Sequence, residues 1–323
     1  MRLGVLDQSP IPEGSGVGDA LRNSIDLARR VDQLGYMRYW LAEHHGAASL
    51  ACASPEAIIG PVAAATDNLR VGSGGVMLPH YSALKVAETF NMLNGLYPGR
   101  IDLGIGRAPG TSGRVAHLLQ RDRRYATQDD FLEQMEELRS WFANERSDVP
   151  IRFESPEIWL LGSSDQSAIW AAELGLPYAF ADFINPGGAP FAAWYRRQFV
   201  PSKTLGAPRQ IVAVSAICAD TDEEALRLSS SVRMVLLKLF RGGSVAVPTV
   251  AKAEEFLRAE GMPADLLPVG RRLITGGPAR VRRALEAVVE EYAADEVLIV
   301  TITHDHEARC RSYELIAREF ALI

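Results

Sequence analysis

Cysteine is scarce in this 323-residue chain. The three cysteines, Cys52, Cys218 and Cys310, lie far apart, are odd in number and show no Cys-x-x-Cys spacing. A disulfide framework or a structural zinc site would need paired or clustered cysteines, so the sequence argues against both. We expect the thiols to stay free, as they do in a reducing cytoplasm.

Long apolar runs are also missing. No run approaches the roughly 18 apolar residues that a membrane-spanning helix needs. The first ten residues, MRLGVLDQSP, reach Asp7 and Pro10 before the apolar core of a signal peptide could form. We therefore predict a cytoplasmic protein that has no membrane partner.

Neither sign of charge is concentrated on one stretch. The 34 Lys and Arg and the 40 Asp and Glu give a formal net charge of -6 and are scattered along the chain. Nucleic acid or an anionic membrane would require a basic face, so neither partner is predicted. A hydrolase Gly-x-Ser-x-Gly motif is absent too.

The strongest metal-binding motif is weak. His304-Asp305-His306 follows the last predicted strand, but no third ligand stands at a suitable spacing. We predict that this segment caps the last helix and that the protein holds no metal.

The chain does contain a regular alternation of short β-rich runs and helical patterns. Such alternation predicts an α/β fold of parallel strands joined by helices. Eight runs are found, the number of strands in a (β/α)8 TIM barrel. They span residues 3–6, 38–42, 69–73, 101–105, 158–161, 178–181, 211–217 and 297–302.

Two stretches exceed the usual length of a connection. Residues 107–156 follow strand four and contain a helical pattern at 129–142, while residues 241–278 follow strand seven and contain one at 250–260. We interpret both as insertions in one barrel domain spanning residues 1–323, because no linker divides the chain. We expect residues 241–278 to form a mobile lid, with a well-packed surface excursion as the alternative.

Residues that follow the strands of a parallel barrel carry its active site. Glu43-His44-His45 follows the second strand. His44 is the candidate catalytic residue, because an imidazole with an ordinary pKa of about 6.5 exchanges protons near neutral pH. The alternative is a histidine that only caps the strand end.

Gly74 and Gly75 follow the third strand, where glycine admits a flat ligand or forms a simple bulge.

The ends of the fourth and fifth strands are suited to phosphate. Gly106 and Arg107 follow the fourth, and a planar guanidinium binds phosphate well. Gly162, Ser163 and Ser164 lead into a helical pattern, whose first amides attract anions. The glycine spacing around Arg107 does not match a dinucleotide fingerprint. A surface ion pair for Arg107 and plain capping by Ser164 or its neighbour are the alternatives.

Four motifs in this order resemble the bacterial luciferase-like flavin monooxygenases. They are WLAEHH at 40–45, VGSGGVMLP at 71–79, GRIDLGIGRAPG at 99–110 and LGSS at 161–164. The similarity covers almost the whole chain and is weakest at 241–278. It implies a barrel, usually a homodimer, that binds FMN at the C-terminal strand ends.

The resemblance also implies roles for single residues. His44 matches the active-site histidine of the family, which acts after oxygen has added to the flavin. Arg107, Ser163 and Ser164 match positions near the FMN phosphate. The Gly74-Gly75 pair matches glycines beneath the flavin ring, where relatives often have a cis peptide bond.

Gly106 stands where bacterial luciferase has a reactive cysteine, so the resemblance is to the non-luminescent branch. It implies a two-component monooxygenase, in which a separate NAD(P)H:flavin reductase supplies reduced FMN and O2 oxygenates a small organic substrate. Two alternatives stay open: a deazaflavin (F420)-dependent hydride-transfer enzyme and a non-catalytic flavin-binding protein.

Overall fold

The computed structural model describes residues 1–108, 110–111, 113–120, 130–146, 152–263 and 270–323. Eight parallel strands close into a barrel, because each pairs with the next and the last pairs with the first. The predicted α/β barrel is therefore confirmed. The barrel strands are β1 (Arg2–Asp7), β2 (Arg38–Leu41), β3 (Arg70–Met77), β4 (Ile101–Gly106), β5 (Glu157–Gly162), β6 (Tyr178–Ala181), β7 (Gln210–Cys218) and β9 (Glu296–Val300).

Helices surround this barrel, and none in the described part of the chain is long and apolar enough to cross a bilayer. The sequence did not predict the seven-residue α4 or a short ninth strand, β8 (Ile274–Gly276), which pairs with β7 alone. The helices are α1 (Val17–Gln33), α2 (Pro55–Ala64), α3 (Ala83–Leu96), α4 (Gly113–Leu119), α5 (Phe131–Phe142), α6 (Asp165–Glu173), α7 (Ala189–Gln198), α8 (Asp222–Phe240), α9 (Val250–Ala259), α10 (Pro278–Tyr292) and α11 (His306–Glu319).

Side chains alternate between two apolar layers, as the pleat of a barrel strand requires. Trp40 and Leu298 belong to a cluster inside the barrel, whereas their neighbours Tyr39 and Val297 pack between strands and helices. Trp40 is fully buried. The barrel is thus a filled core whose open end, where ligands can enter, lies at the ends of the strands.

The opposite end of the barrel, where the strands begin, is held by a buried ion network. Arg38 at the start of β2 donates to Glu296 at the start of β9 (Nε to Oε2, 2.7 Å) and to Asp102 near the start of β4 (2.5 Å). Asp102 also accepts from Arg70 Nε at 2.9 Å and from Trp40 Nε1 at 2.9 Å. Four strands are tied together here, far from the catalytic end, so these charges serve stability.

The insertion after strand seven begins earlier than we predicted. Helix α10 packs against β7, β9, α7 and α11 as well as β8, and its contacts with the barrel strands β7 and β9 are those of a regular barrel helix. Helix α8 packs against α9, β8 and β7, and has no comparable contact with β9. Val232 of α8 joins the cluster inside the barrel. The insertion therefore starts directly after β7, and α8 belongs to it.

Part of the predicted lid is fastened in this structure. The backbone of Val247 bonds to Ile11 and Glu13 at 2.8 Å each, and the amide of Ala48 donates to Ser244 Oγ at 2.8 Å. These bonds favour a packed arrangement for residues 244–247, and the lid stays a prediction. Residues 264–269 of that insertion, and residues 109, 112, 121–129 and 147–151 of the insertion after β4, lie outside the described part.

Candidate functional site

All eight residues predicted to form the site line one cavity of about 440 Å³, which we call the smaller cavity. No acidic residue lines it in the described part of the chain. The structure thus brings the predicted residues together at the C-terminal strand ends. They are His44 after β2, Gly74 and Gly75 in β3, Gly106 at the end of β4, Arg107 after it, Gly162 at the end of β5, and Ser163 and Ser164 before α6.

The glycines of β3 are needed by the barrel itself. β3 continues to Met77, beyond the predicted end, with a shift in register against β4 after Gly74. The Gly74-Gly75 peptide bond is cis. A Cβ on Gly74 would lie 2.5 Å from Leu6 Cδ1, and one on Gly75 would lie 2.7 Å from the carbonyl oxygen of Gly104. The irregularity offered as an alternative is therefore present, and it forms part of the cavity wall.

Arg107 and Ser164 lie at the same cavity. The Arg107 guanidinium carbon is 5.0 Å from the centre of the Trp170 ring, within cation–π range. Ser164 is the N-cap of α6, but its hydroxyl does not cap the helix. Among the described residues, Asp165 accepts only from the next amide, of Gln166, at 2.8 Å. Because the Ser164 hydroxyl takes no part in capping, it is available to a ligand.

His44 has a buried nitrogen without a partner. Its Nδ1 makes no hydrogen bond within the described residues, although its backbone amide is held by the carbonyl of Cys52 at 2.8 Å. Burial, and to a smaller extent the neighbouring His45, lowers the pKa of His44 to about 4, against the opposing effect of a hydrogen bond to the backbone of Ala42. The imidazole is therefore neutral at pH 7. The expectation of an ordinary pKa is wrong, because the sequence did not reveal how deeply the ring is enclosed.

Comparison with known proteins agrees with this geometry. The family described as luciferase-like monooxygenase matches residues 1–296. A luciferase-like monooxygenase of Escherichia coli (strain K12) is 41% identical, with 96% of this chain and 94% of the relative covered. The N-acetyl-S-alkylcysteine monooxygenase of Bacillus subtilis (strain 168) is 35% identical, with 98% and 97% covered.

The chain belongs to the luciferase-like monooxygenase family. It is accordingly an oxidoreductase that incorporates molecular oxygen, as the sequence predicted.

Solved structures place the fold of this luciferase-like monooxygenase in the same group. Apo-MsnO8 is 39% identical, with a TM-score of 0.90 and with 100% of this chain and 98% of that chain covered. The oxygenating constituent of 3,6-diketocamphane monooxygenase from Pseudomonas putida, in complex with FMN, is 20% identical with a TM-score of 0.76, covering 99% and 97%. An F420-dependent secondary alcohol dehydrogenase is 14% identical with a TM-score of 0.66, covering 98% of each chain. Because the last two structures have low sequence identity to this chain, their similarity establishes only the shared fold.

We expect His44 to make the stability of this luciferase-like monooxygenase depend on pH. Its native pKa of about 4 is below its ordinary value of 6.5. As pH falls from 6.5 towards 4, the unfolded chain binds a proton that the native protein does not. The free energy of unfolding should therefore decline, by up to roughly 3 kcal/mol. Denaturant unfolding at several pH values measures this.

The control is His44→Gln, which should lose this part of the decline because the other titrating groups are shared. An NMR titration of the ligand-free protein gives the pKa of His44 directly. A midpoint near 6.5 would contradict the enclosure of the ring seen in the structure.

Glu43 is a residue of the site region that we missed in the sequence. It is fully buried and accepts from the Met77 amide and the Tyr81 hydroxyl at 2.9 Å each, and it contacts His45 Nε2 at 2.7 Å. These bonds join β2, β3 and the helical turn after β3. Glu43 therefore positions the strand end that carries His44. The indication in the sequence was its position directly before His44.

Among the described residues, two groups of side chains lie close enough to share a metal ion. In the group with His45 and His80, the Glu43 carboxylate already contacts three hydrogen-bonding groups, so it serves a structural role. Asp305 accepts from the Ala308 amide at 2.7 Å and caps α11, as predicted. The absence of a metal stays a prediction. The groups are Glu43, His45 and His80, and Asp26, His306 and Cys310.

A second cavity, of about 700 Å³, adjoins the first; we call it the larger cavity. Gln8, His44, Phe183 and Ile184 line both cavities. The Gln8 side chain makes no hydrogen bond within the described residues, so its amide is available at the junction. The larger cavity was not predicted, because α8 and the segment after it build much of its wall.

Proposed function

We propose that this protein, as one barrel domain over residues 1–323, is the oxygenating component of an FMN-dependent two-component monooxygenase. One observation carries the proposal: the eight predicted residues converge on a single cavity that contains Arg107 and the N-terminus of α6 and that no acidic residue of the described chain lines. A phosphate needs such an environment. The larger cavity beside it has the volume of a small-molecule site.

The residues of the smaller cavity fit FMN. Ser164 has a hydroxyl that capping does not use, and His44 Nδ1 is a buried polar atom without a partner in the described chain. A ligand with polar groups at both places would satisfy them. Gly74, Gly75 and Gly106 present backbone without side chains to the cavity, which suits contact with a flat ring.

When bound, reduced FMN supplies two electrons to O2, so that one oxygen atom enters the substrate and the other leaves as water. The chain itself binds the cofactor, excludes water and moves protons. Arg107, Ser163 and Ser164 bind the phosphate. Apolar side chains such as Leu161 and Phe180 exclude water from the smaller cavity. His44, between the two cavities, holds or transfers a proton at Nδ1.

The proposal includes partners. A separate NAD(P)H:flavin reductase supplies reduced FMN, and the substrate is a small organic molecule. We also propose a cytoplasmic homodimer; exposed Met92 and Leu96, one turn apart on α3, are apolar residues that a second copy could cover.

Anaerobic titration with reduced FMN and reduced F420, followed by exposure to 18O2, tests this function. We expect tight binding of reduced FMN and one 18O atom in the product of an N-acetyl-S-alkylcysteine, chosen because a relative is named for this substrate. Preference for F420 with hydride transfer, or FMN binding without any reaction with oxygen, would replace the proposal with one of its two alternatives.

Arg107→Ala should weaken FMN binding by roughly 1.5–3 kcal/mol, the usual contribution of a charge-assisted hydrogen bond. Riboflavin, which has no phosphate, should bind the variant and the original protein equally well. Flavin fluorescence titration measures both affinities. The matched control is Arg197→Ala, which removes an exposed arginine of α7 away from the cavity. Unchanged FMN affinity in Arg107→Ala would show that the phosphate lies elsewhere.

A further inference from the structure

The larger cavity has an apolar wall and a polar edge. Helix α8 contributes four aliphatic side chains to the wall, and the end of β9 and the segment after it contribute two more. No acidic residue lines this cavity in the described part of the chain. A substrate held here would therefore lie along aliphatic surface. The six side chains are Val232, Val235, Leu236, Leu239, Val300 and Ile302.

Two adjacent arginines line the same cavity but differ in their partners. Arg272 forms ion pairs with Glu291 at 3.0 Å and with Asp182 at 3.5 Å. Arg271 pairs with no carboxylate in the described part of the chain, and its Nη1 donates only to the carbonyl of Phe183, at 3.3 Å. Its pKa is lowered by burial, and no charged group of the described residues raises it again. Among the described residues, Arg271 is therefore a half-buried cation with no carboxylate to balance its charge.

An unbalanced cation beside an apolar wall selects an anion with an apolar tail. Leaving a guanidinium partly desolvated and unpaired costs free energy, which an incoming anion recovers. The fork of an arginine matches the two oxygens of a carboxylate. Phe183, to which Arg271 donates, also lines the smaller cavity. A group bound at Arg271 would thus be close to the place where the two cavities meet.

We propose that Arg271 binds the carboxylate of an anionic substrate whose apolar part lies along α8 in the larger cavity. This inference rests on the proposed monooxygenase function, because it assigns the substrate of the same site. It makes Arg271 a specificity-determining residue, distinct from Arg107, which serves the cofactor phosphate. Esters and alcohols of the same shape should be poor ligands.

Calorimetric titration with N-acetyl-S-benzylcysteine and its methyl ester tests the inference, without flavin and again with saturating FMN. We expect the acid to bind the original protein at least about tenfold more tightly than the ester. Arg271→Met should weaken binding of the acid by roughly 10- to 100-fold, the range expected for a hydrogen bond to a charged group, and leave the ester unchanged. Arg271→Lys should keep most of the preference.

Arg258→Met is the control, because Arg258 is exposed on α9 and outside the cavity. It should behave as the original protein, and circular dichroism confirms that each variant is folded. Equal affinity for acid and ester, or an undiminished preference in Arg271→Met, would overturn the inference. The inference would also be overturned if the folded protein bound neither N-acetyl-S-benzylcysteine nor octanoate, which is a second carboxylate with an apolar chain. Because the first titration contains no flavin, a wrong cofactor assignment would not produce these results.

Discussion

Replacing His44 by alanine is expected to lower the yield of oxygenated product by on the order of 10²-fold, with little change in FMN affinity. The ring lies where the smaller and larger cavities meet, and its Nδ1 has no partner among the described residues. Since the ring is neutral at pH 7, it can donate one N–H and accept at the other nitrogen. It is thus equipped to handle a proton during the reaction, while Arg107 carries the binding of phosphate.

The measurement is hydrogen peroxide and oxygenated product formed per reduced FMN consumed. In His44→Ala, peroxide should rise as product falls. His45→Gln is a matched control, because His45 follows directly but contacts Glu43 and lines the larger cavity alone. It should retain far more product. Normal coupled turnover in His44→Ala would remove His44 from the catalytic role.

Replacing Asp102 by alanine is expected to destabilise the barrel by roughly 3–5 kcal/mol, the scale for breaking a buried ion pair from one side. Asp102 is fully buried and accepts hydrogen bonds from Arg38, Arg70 and Trp40. Without Asp102, the buried Arg38 retains its ion pairs with Glu296 and Glu157 but loses a close negative charge. Urea unfolding followed by tryptophan fluorescence measures the change.

Glu224→Ala is the control for this prediction. It also breaks a bidentate pair, with Arg227, but both side chains are exposed on α8, so the loss should stay below about 1 kcal/mol. A loss in Asp102→Ala no larger than in Glu224→Ala would mean that the strand-start network contributes little to stability.

The barrel was predictable because its signal is local. Each strand is a short apolar run, and each run lies beside a helical pattern, so eight repeats indicate eight barrel strands. The structure shifts the ends by a few residues, most clearly in β3, where Gly74 and Gly75 continue the strand through an irregular step to Met77. α8 was harder to place. We did not predict a helix there, and only its packing shows that it belongs to the insertion.

The smaller cavity was predictable for the same reason. The eight predicted residues stand near, at or immediately after the ends of strands, and a closed barrel brings all strand ends to one rim. The larger cavity was not. Arg271 and Arg272 look alike in the sequence. Only the positions of Asp182 and Glu291 in space show that Arg272 is paired, whereas Arg271 has no carboxylate partner among the described residues.

The sequence by itself determined the strand order, the family and the residues around the smaller cavity, since each depends on residue type and on place along the chain. Only the tertiary structure decided that His44 is neutral, that Glu43 supports it and that Arg271 has no carboxylate partner among the described residues. Those properties depend on burial and on distances between residues remote in sequence. Burial changes a pKa, and neither the burial of a side chain nor the place of its counter-charge in space leaves a pattern in the chain.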